Sequence, residues 1–309
     1  MADPGAGEAE PEQPLFTSRR ARQILDAACD HVDLDPSDAQ LLRFGENASY
    51  RLARTNGTVV VRISRDLTRL PVARRELCVS RWLAESGVPT VRVDERFEGQ
   101  PVVIEGHPVT LWQAIDYGPV RPGLADLAEL LRRLHKLDST PCRLPLFDPL
   151  STVWPRLRAG LDISQADMAF LWDRCGEVAA SLANLEPLRP VGPIHGDAHL
   201  GNLLGGAGAA ALSDFEVFGI GMREWDLIPT AVGQARLGIP AVRLEEFATV
   251  YGFDVRTWEG YPVLRAAREL GMTTWLAQNV AESRQIAEEV RLRLASLREG
   301  DLDRGWTAF

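Results

Sequence analysis

His195-Gly196-Asp197-Ala198-His199-Leu200-Gly201-Asn202, followed by Ser213-Asp214-Phe215-Glu216, is the part of this 309-residue sequence that decides its fold. The segment between them reads LLGGAGAAAL, an apolar and glycine-rich stretch typical of a short β-hairpin. Taken singly, the residues allow a plainer interpretation, an ordinary turn with a capping asparagine and aspartate. Taken together, their order and spacing point to a catalytic loop.

The spacing of Asp197, Asn202 and Asp214 has a chemical reason. A loop that presents Asp197 to a substrate hydroxyl lets its carboxylate accept the proton and hold the oxygen in line with a γ-phosphate. Asn202 would turn back towards a metal ion between phosphates, and Asp214 would supply a carboxylate ligand. Magnesium prefers oxygen ligands and shares its shell with phosphates, so one amide and one carboxylate suffice. The pattern therefore predicts a catalytic base and a magnesium site.

Two other assignments for histidines in this sequence are weaker. Zinc binding by His195 and His199 is disfavoured, because the glycine between them breaks a helix and no third ligand is evident. His135, in the helical pattern LRRLHKL, is interpreted as a packed or capping histidine.

The motifs HGDAHLGN, SDFE and the later REWDL resemble those of the aminoglycoside phosphotransferase and choline kinase family, over roughly residues 38–300. The resemblance implies an α+β, protein-kinase-like fold with two lobes. A small N-terminal lobe would hold an antiparallel sheet, and a larger C-terminal lobe would be mainly helical. It also implies an enzyme that transfers the γ-phosphate of ATP, or of GTP as the alternative, with Mg²⁺ to a hydroxyl of a small molecule.

The resemblance assigns roles to residues of the motifs. Asp197 would be the catalytic base, Asn202 and Asp214 would hold magnesium, Asp226 of REWDL would support the loop, and His195 would be structural.

Periodicity along the chain predicts the same two-part organisation. Residues 17–32 have helical spacing, and residues 41–65 read as two strands joined at Thr55-Asn56-Gly57. A helix at 72–87 and strands near 91–97, 100–106 and 108–115 follow, and the chain after Gly123 is largely helical. The predicted segments are a disordered tail at 1–14, a nucleotide-binding lobe at 15–117, and a catalytic and substrate-binding lobe at 118–309.

The N-terminal segment carries candidate nucleotide-binding residues. Arg62 stands in a strand where protein kinases have a phosphate-contacting lysine, and Glu76, 14 residues later on the next helix, would pair with it. A solvated Glu76 is the alternative. The remaining candidates are Gly45, Asn47 and Ser49 in a glycine-poor phosphate loop, with Trp112 and Gln113 in the connection that would meet adenine. A core position for Trp112 is equally open.

The acceptor is not determined by the sequence. Glu224, Trp275 and Glu282 are candidate substrate contacts, since carboxylates and aromatic faces suit cationic acceptors such as aminoglycosides or choline. An antibiotic is the favoured acceptor, and a metabolite such as choline, homoserine, a sugar or a nucleoside is the alternative. Arg62 and the glycine-poor loop leave a nucleotide-binding pseudokinase open. A protein kinase is disfavoured, because little room for an activation loop separates Asp214 from REWDL.

Composition restricts partners and location. A formal net charge of −9 argues against a surface that binds nucleic acid or anionic lipid. We expect no membrane partner, a monomer or homodimer, and a cytoplasmic location, since the N-terminus is acidic and no apolar run reaches membrane-spanning length. The scattered residues Cys29, Cys78, Cys142 and Cys175 are expected to be buried free thiols.

Overall fold

The chain forms two units, each with its own core. The computed structural model describes residues 16–54, 57–206 and 208–309. The first unit holds the chain up to Leu77 together with Val93–Ala114, and the second holds Cys78–Arg92 together with Ile115–Phe309. The predicted tail at 1–14 and the predicted turn residues Thr55 and Asn56 lie outside the described residues. The lobe boundary between residues 117 and 118 stays a prediction.

An antiparallel sheet with strand order β1-β2-β3-β5-β4 forms the first unit. The strands are β1 Gln40–Phe44, β2 Asn47–Arg54, β3 Gly57–Ser64, β4 Val102–Ile104 and β5 His107–Gln113. Alternation in β3 places Val59, Val61 and Ile63 on one buried face, since successive strand residues point to opposite sides. Helix α1, Ser18–Val32, covers that face with Ile24 and Leu25.

The predicted strand at 91–97 is wrong. Within this segment Val93 makes an isolated bridge to Trp112, and the chain then turns. The cause is Asp94, whose buried carboxylate accepts hydrogen bonds from the backbone N–H and from Nε of Arg96, at 3.3 and 2.6 Å. A side chain that bonds to nearby backbone in this way competes with strand pairing.

Helices dominate the second unit. Helix α2, Leu70–Glu85, begins in the first unit and ends in the second. The helices that follow are α3 Leu124–Leu134, α4 Val153–Ala159, α5 Gln165–Ala183, α6 Ile228–Arg236, α7 Ala241–Tyr251, α8 Tyr261–Ala277 and α9 Arg284–Glu299. Helix α8 packs against α4, α5, α6 and α9, so it is central to this unit. Among the described residues, no helix combines the length and apolar character needed to cross a membrane.

Short strands interrupt these helices where the sequence predicted β structure. Strand β6, Gly192–Ile194, pairs with β9, Gly219–Gly221, and β7, Leu203–Gly206, pairs with β8, Ala209–Leu212. The loop 195–202 leaves β6 and enters β7, and residues 213–218 join β8 to β9. The two pairs therefore fix both ends of the loop that carries Asp197.

The prediction of four free cysteines is wrong for two of them. Cys78 in α2 and Cys142 after α3 form a disulfide, at a sequence separation of 64. Helix packing brings their Cα atoms to 6.0 Å, within disulfide range, and no local pattern signals so distant a pairing. Cys29 and Cys175 are buried free thiols, and burial raises the pKa of each to about 11.

Candidate active site

Asp226 holds the backbone at the start of loop 195–202, the predicted catalytic loop. Its carboxylate, fully buried, accepts hydrogen bonds from the N–H of His195 at 2.7 Å and of Gly196 at 2.8 Å. The neighbouring Trp225 donates from its indole Nε1 to the carbonyl of Gly196 at 2.7 Å. Two adjacent residues of REWDL thus fix the peptide units just before Asp197.

A glycine is required at position 196. Its φ is +84°, and a Cβ there would lie 2.6 Å from the carbonyl oxygen of Val217. Both facts exclude an ordinary L side chain. The glycine of the HGD motif is therefore required by the backbone conformation, independently of any chemical role of the motif.

His135 supports Asp226 from α3. Its Nε2 lies 3.0 Å from Oδ2 of Asp226, and its Nδ1 lies 2.8 Å from the hydroxyl of Tyr251. Because a carboxylate oxygen accepts here, Nε2 is the nitrogen that carries the proton and donates a hydrogen bond to Asp226. Burial raises the pKa of Tyr251 to about 12, so the phenol keeps its proton. The interpretation of His135 as a packed histidine is confirmed, and the partner it holds was not foreseen.

The carboxylate of Asp197 has a nitrogen donor on each oxygen. Nη1 of Arg268, on α8, donates to Oδ1 at 2.8 Å. Nε2 of His199 lies 3.3 Å from Oδ2, while Nδ1 of the same ring accepts a hydrogen bond from the N–H of Gly201 at 3.0 Å. Since Nδ1 accepts, Nε2 is the nitrogen that carries a proton towards Asp197.

The pKa of Asp197 follows from these neighbours. Burial by itself raises the pKa of this carboxyl, but the hydrogen bond from His199 and the charge of Arg268 outweigh burial and hold the pKa well below its usual range. About a third of the side chain, 37%, remains exposed. Asp197 is therefore an ionised, accessible carboxylate at neutral pH.

Hydrogen bonds link Asn202 to Asp197 and to Ser213, the residue before Asp214. Its Nδ2 donates to the carbonyl of Asp197 at 2.9 Å, and its own carbonyl accepts from the N–H and Oγ of Ser213, each at 2.9 Å. Nε2 of His195 donates to the carbonyl of Ser213 at 2.9 Å. The residue before Asp214 is thus tied to the loop that holds Asp197 and Asn202.

Asp214 adopts an uncommon backbone conformation. Its φ is +65°, in the left-handed region that few residues other than glycine enter, although aspartate tolerates it. Such conformations concentrate at functional sites, where the surrounding structure enforces them. The side chain is half-buried at the end of β8.

The donor set of Asn202 and Asp214 fits magnesium. The Asn202 amide uses its nitrogen for the Asp197 carbonyl, so its oxygen is the atom that it can offer to a cation. Asp214 offers a carboxylate oxygen. Both are hard oxygen ligands, as magnesium prefers, and neither histidine nor thiolate is part of the set.

In the first unit, the pairing predicted between Arg62 and Glu76 is present. Nη1 of Arg62 donates to Oε1 of Glu76 at 2.9 Å, and the Glu76 side chain is almost fully buried. Arg62 lies opposite Ser49 on β2 and opposite Thr110 on β5, so the three residues share one face of the sheet. Their role in nucleotide binding stays a prediction.

The remaining predicted nucleotide contacts lie in the turn between β1 and β2 and near the ends of β2 and β5. Gly45 is in the turn between β1 and β2, and Asn47 opens β2 on the same face as Ser49. Trp112 is buried and donates from Nε1 to Oγ1 of Thr110 at 2.9 Å. Gln113 is exposed at the end of β5. The Trp112 side chain is therefore packed in the core, as the alternative interpretation expected. Contacts of its backbone with adenine stay a prediction.

The three predicted substrate contacts lie on different segments of the second unit. Glu224 is buried, and neither carboxylate oxygen has a hydrogen-bond partner among the described residues. Trp275 is exposed near the end of α8, and Glu282 is exposed between α8 and α9. None of the three has a hydrogen bond or ion pair with Asp197 in the part of the chain that is described. Their role in substrate binding stays a prediction.

Sequence reasoning missed Arg268. It lies 71 positions from Asp197 in the helical pattern RAAREL, which looks like an ordinary amphipathic helix with charged residues. No local motif marks it, because its contact arises only from the packing of α8 against the rest of the second unit. The contact of His199 with Asp197 was missed too, although their spacing within one loop offered a signal.

These features can be compared with known proteins. The sequence pattern of the phosphotransferase enzyme family matches residues 39–267. The chain therefore belongs to the phosphotransferase enzyme family. The predicted family resemblance, the α+β protein-kinase-like fold and the prediction of a phosphotransferase enzyme are confirmed. No curated protein sequence matches the chain significantly.

Solved structures of similar fold include three kinases. Amicoumacin kinase hAmiN, in complex with AMP-PNP, Ca²⁺ and Ami, has a TM-score of 0.71 at 14% identity, covering 93% of this chain and 96% of its own. A microcompartment-associated aminopropanol kinase has a TM-score of 0.69 at 19% identity, covering 93% and 99%. Choline kinase LicA from Streptococcus pneumoniae has a TM-score of 0.65 at 14% identity, covering 89% and 98%. At these identities the likeness concerns the fold alone.

Proposed function

We propose that the protein transfers the γ-phosphoryl group of ATP to a hydroxyl of a small molecule. Family membership supports a phosphotransferase, and the observation that carries the proposal further is the geometry around Asp197. Its ionised carboxylate is held in a loop whose hydrogen bonds join it to Asn202 and, through Ser213, to Asp214. A base and two oxygen ligands within one braced segment suit phosphoryl transfer, which depends on positioning and electrostatics.

The proposed reaction is a direct in-line transfer. The hydroxyl oxygen forms a bond to the γ-phosphorus while the bond from that phosphorus to the β,γ-bridging oxygen breaks, and ADP leaves with that electron pair. The hydroxyl proton goes to a carboxylate oxygen of Asp197. Because the low pKa of Asp197 makes it a weak base, its main contribution is to orient the hydroxyl until the oxygen loses its proton late in transfer.

Asn202 and Asp214 would hold Mg²⁺, which supplies positive charge to phosphate oxygens when bound. Arg62, fixed by Glu76, would contact phosphate oxygens from the first unit, with Gly45, Asn47 and Ser49 as further contacts. We propose ATP as the nucleotide, since AMP-PNP, an ATP analogue, is bound by the amicoumacin kinase of similar fold.

The acceptors named for the similar structures include both an antibiotic and small metabolites. Both classes therefore enter the test. The protein is incubated with Mg²⁺ and ATP against antibiotics, amino alcohols, hydroxy acids and sugars, and products are weighed by mass spectrometry. The proposal expects one product heavier by a single phosphoryl group, formed by the wild-type protein and absent with Asp197→Asn.

Nucleotide binding without transfer to any acceptor class, including water, would instead support a regulatory pseudokinase. A product that forms equally well with Asp197→Asn would contradict the assigned base.

A further inference from the structure

Arg268 is the cationic side chain that contacts the proposed catalytic base. Its Nη1 donates to Oδ1 of Asp197 at 2.8 Å, and 24% of its side chain is exposed. A guanidinium carries five N–H donors, and no other hydrogen bond of Arg268 is present among the described residues. Donors are therefore available for a second anionic partner.

This arginine is not needed to anchor α8. The helix is fixed by a buried network in which Oε1 of Glu269 accepts from Nε of Arg236 at 2.7 Å and from Nε of Arg265 at 2.8 Å. Its apolar face adds Leu264 and Leu270, both buried in the core of the second unit. Since α8 is held by these contacts, a purely structural role leaves the direction of Arg268 towards Asp197 unexplained.

A pair that is permanently closed would also hinder the reaction. The N–H of Arg268 occupies the oxygen Oδ1 of Asp197. A substrate hydroxyl needs a carboxylate oxygen that can accept its proton. This obstacle is removed if a group of the arriving substrate binds the guanidinium of Arg268 and so frees Oδ1 of Asp197.

The surface of α8 beside Arg268 leaves room for such a substrate. Arg268, Gly271 and Trp275 follow one another at helical spacing along one face. A Cβ at Gly271 would meet nothing within 4 Å, and Trp275 is 44% exposed. Arg156 reaches the same stretch from α4, where its Nη1 donates to the carbonyl of Gly271 at 3.1 Å.

We propose that the phosphoryl acceptor carries a carboxylate or phosphate close to the hydroxyl that reacts, and that Arg268 binds this group. This inference rests on the proposed function. The guanidinium moves from Oδ1 of Asp197 to the oxyanion of the substrate. Oδ1 then accepts the hydrogen bond of the substrate hydroxyl. The positive charge of Arg268 is a local feature of this surface, whereas the whole chain has a formal net charge of −9.

The inference changes the expectation for acceptors. A polycationic aminoglycoside would bring ammonium groups beside Arg268, and like charges at close range oppose binding. A planar guanidinium instead matches a carboxylate or phosphate with two parallel hydrogen bonds. We therefore expect hydroxy acids or phosphorylated polyols among the accepted compounds.

The test uses acceptors matched in all but the anionic group. Glycerate is compared with its methyl ester and with glycerol, glucose 6-phosphate with glucose, and kanamycin serves as the polycation. Binding of each to the protein saturated with Mg²⁺ and AMP-PNP is measured by calorimetry, and transfer from ATP is measured by product mass. The first pair tests a carboxylate, and the second tests a phosphate.

The inference expects binding of at least one anionic compound, about 100-fold tighter than that of its neutral partner. Arg268→Gln should remove most of this preference, through KM rather than kcat, and Arg268→Lys should restore part of it. The affinity for Mg²⁺ and AMP-PNP should stay within about threefold of the wild-type value. Arg243→Gln, which removes an exposed arginine of α7 with the same change in charge, should leave all values unchanged.

Three results would overturn the inference. They are binding of no anionic probe, equal preference in wild type and Arg268→Gln, or efficient transfer to kanamycin by both proteins. Weakened nucleotide binding in Arg268→Gln would assign this arginine to ATP instead. Each of these results leaves the proposed function intact. The proposed function fails separately if the wild-type protein binds nucleotide but transfers phosphate neither to any compound tested nor to water.

Discussion

Oδ2 of Asp226 lies 3.0 Å from Nε2 of His135, although the two residues are 91 positions apart in sequence. The same buried carboxylate accepts the backbone N–H groups of His195 and Gly196, so one side chain joins α3 to the start of loop 195–202, the proposed catalytic loop. The loop is therefore braced by the body of the second unit. Because of these hydrogen bonds, we expect a change at Asp226 to affect both the stability of the protein and its activity.

Replacing Asp226 with Asn should destabilise the protein and slow the reaction. The amide turns one acceptor into a donor that faces N–H groups, so we expect a loss of about 3 kcal/mol in the free energy of unfolding. Urea denaturation measures this loss, and phosphoryl transfer below the unfolding range measures the activity. Asp303→Asn, at an exposed position, is the control and should change stability by less than about 0.5 kcal/mol. Equal stability of both variants would refute the brace.

The pH dependence of transfer should report the pair of Asp197 and Arg268. Because neighbouring donors hold the pKa of Asp197 below its usual range, the carboxylate is ionised throughout the neutral range, and kcat/KM should show no acidic limb from this group above about pH 5. Arg268→Gln removes a cation that stabilises the carboxylate, so its pKa rises. The acidic limb of kcat/KM, which reports the enzyme before the acceptor binds, should then move to higher pH. A limb that moves to lower pH in this variant would contradict the assignment.

Arg62 and Glu76 should act together on nucleotide affinity. Glu76→Gln removes the carboxylate that fixes the guanidinium, and we expect the Kd for Mg²⁺ and AMP-PNP to rise by about tenfold. Arg62→Ala should raise this Kd further, and the Kd of Arg62→Lys should lie between those of Glu76→Gln and Arg62→Ala. Calorimetry measures these values, with the exposed α1 variant Arg19→Ala as the control. Unchanged affinity in Arg62→Ala would remove this pair from the nucleotide site.

Reduction of the disulfide between Cys78 and Cys142 should lower stability. Closure of a loop of 64 residues corresponds to about 4 kcal/mol in the chain-entropy treatment. Dithiothreitol should therefore lower the Tm of the wild-type protein and leave that of a Cys78→Ser, Cys142→Ser double variant unchanged. An identical shift in both proteins would show that the reagent acts elsewhere. The expected cytoplasmic location stays a prediction, and in reducing surroundings these two residues would be thiols.

The sequence predicted the proposed catalytic loop but not the side chains that approach it from other elements. Asp197, Asn202 and Asp214 lie within 18 residues, where spacing alone implies a loop, a hairpin and a strand end. Asp226 could be assigned a supporting role only through the resemblance of REWDL. His135 and Arg268 reach the site from helices α3 and α8, and helical periodicity cannot reveal which polar residue faces a distant loop.

The sheet of the first unit was predicted where alternation was strong, as in GTVVVRIS of β3. The prediction failed at residues 91–97, where the apolar residues alternate as well. There the buried carboxylate of Asp94 bonds to the backbone and side chain of Arg96, and a turn replaces the strand. The disulfide was missed for a similar reason, since both errors depend on tertiary contacts that a local pattern does not contain.

The most direct test of the account is a pair of measurements on Asp197→Asn. The variant is nearly isosteric, so its affinity for Mg²⁺ and AMP-PNP, measured by calorimetry, should stay within about threefold of the wild-type value. Its rate of phosphoryl transfer to the best acceptor should fall by at least about 1,000-fold, because the amide cannot accept the hydroxyl proton. Transfer at the wild-type rate with normal nucleotide affinity would contradict the claim that Asp197 is the catalytic base.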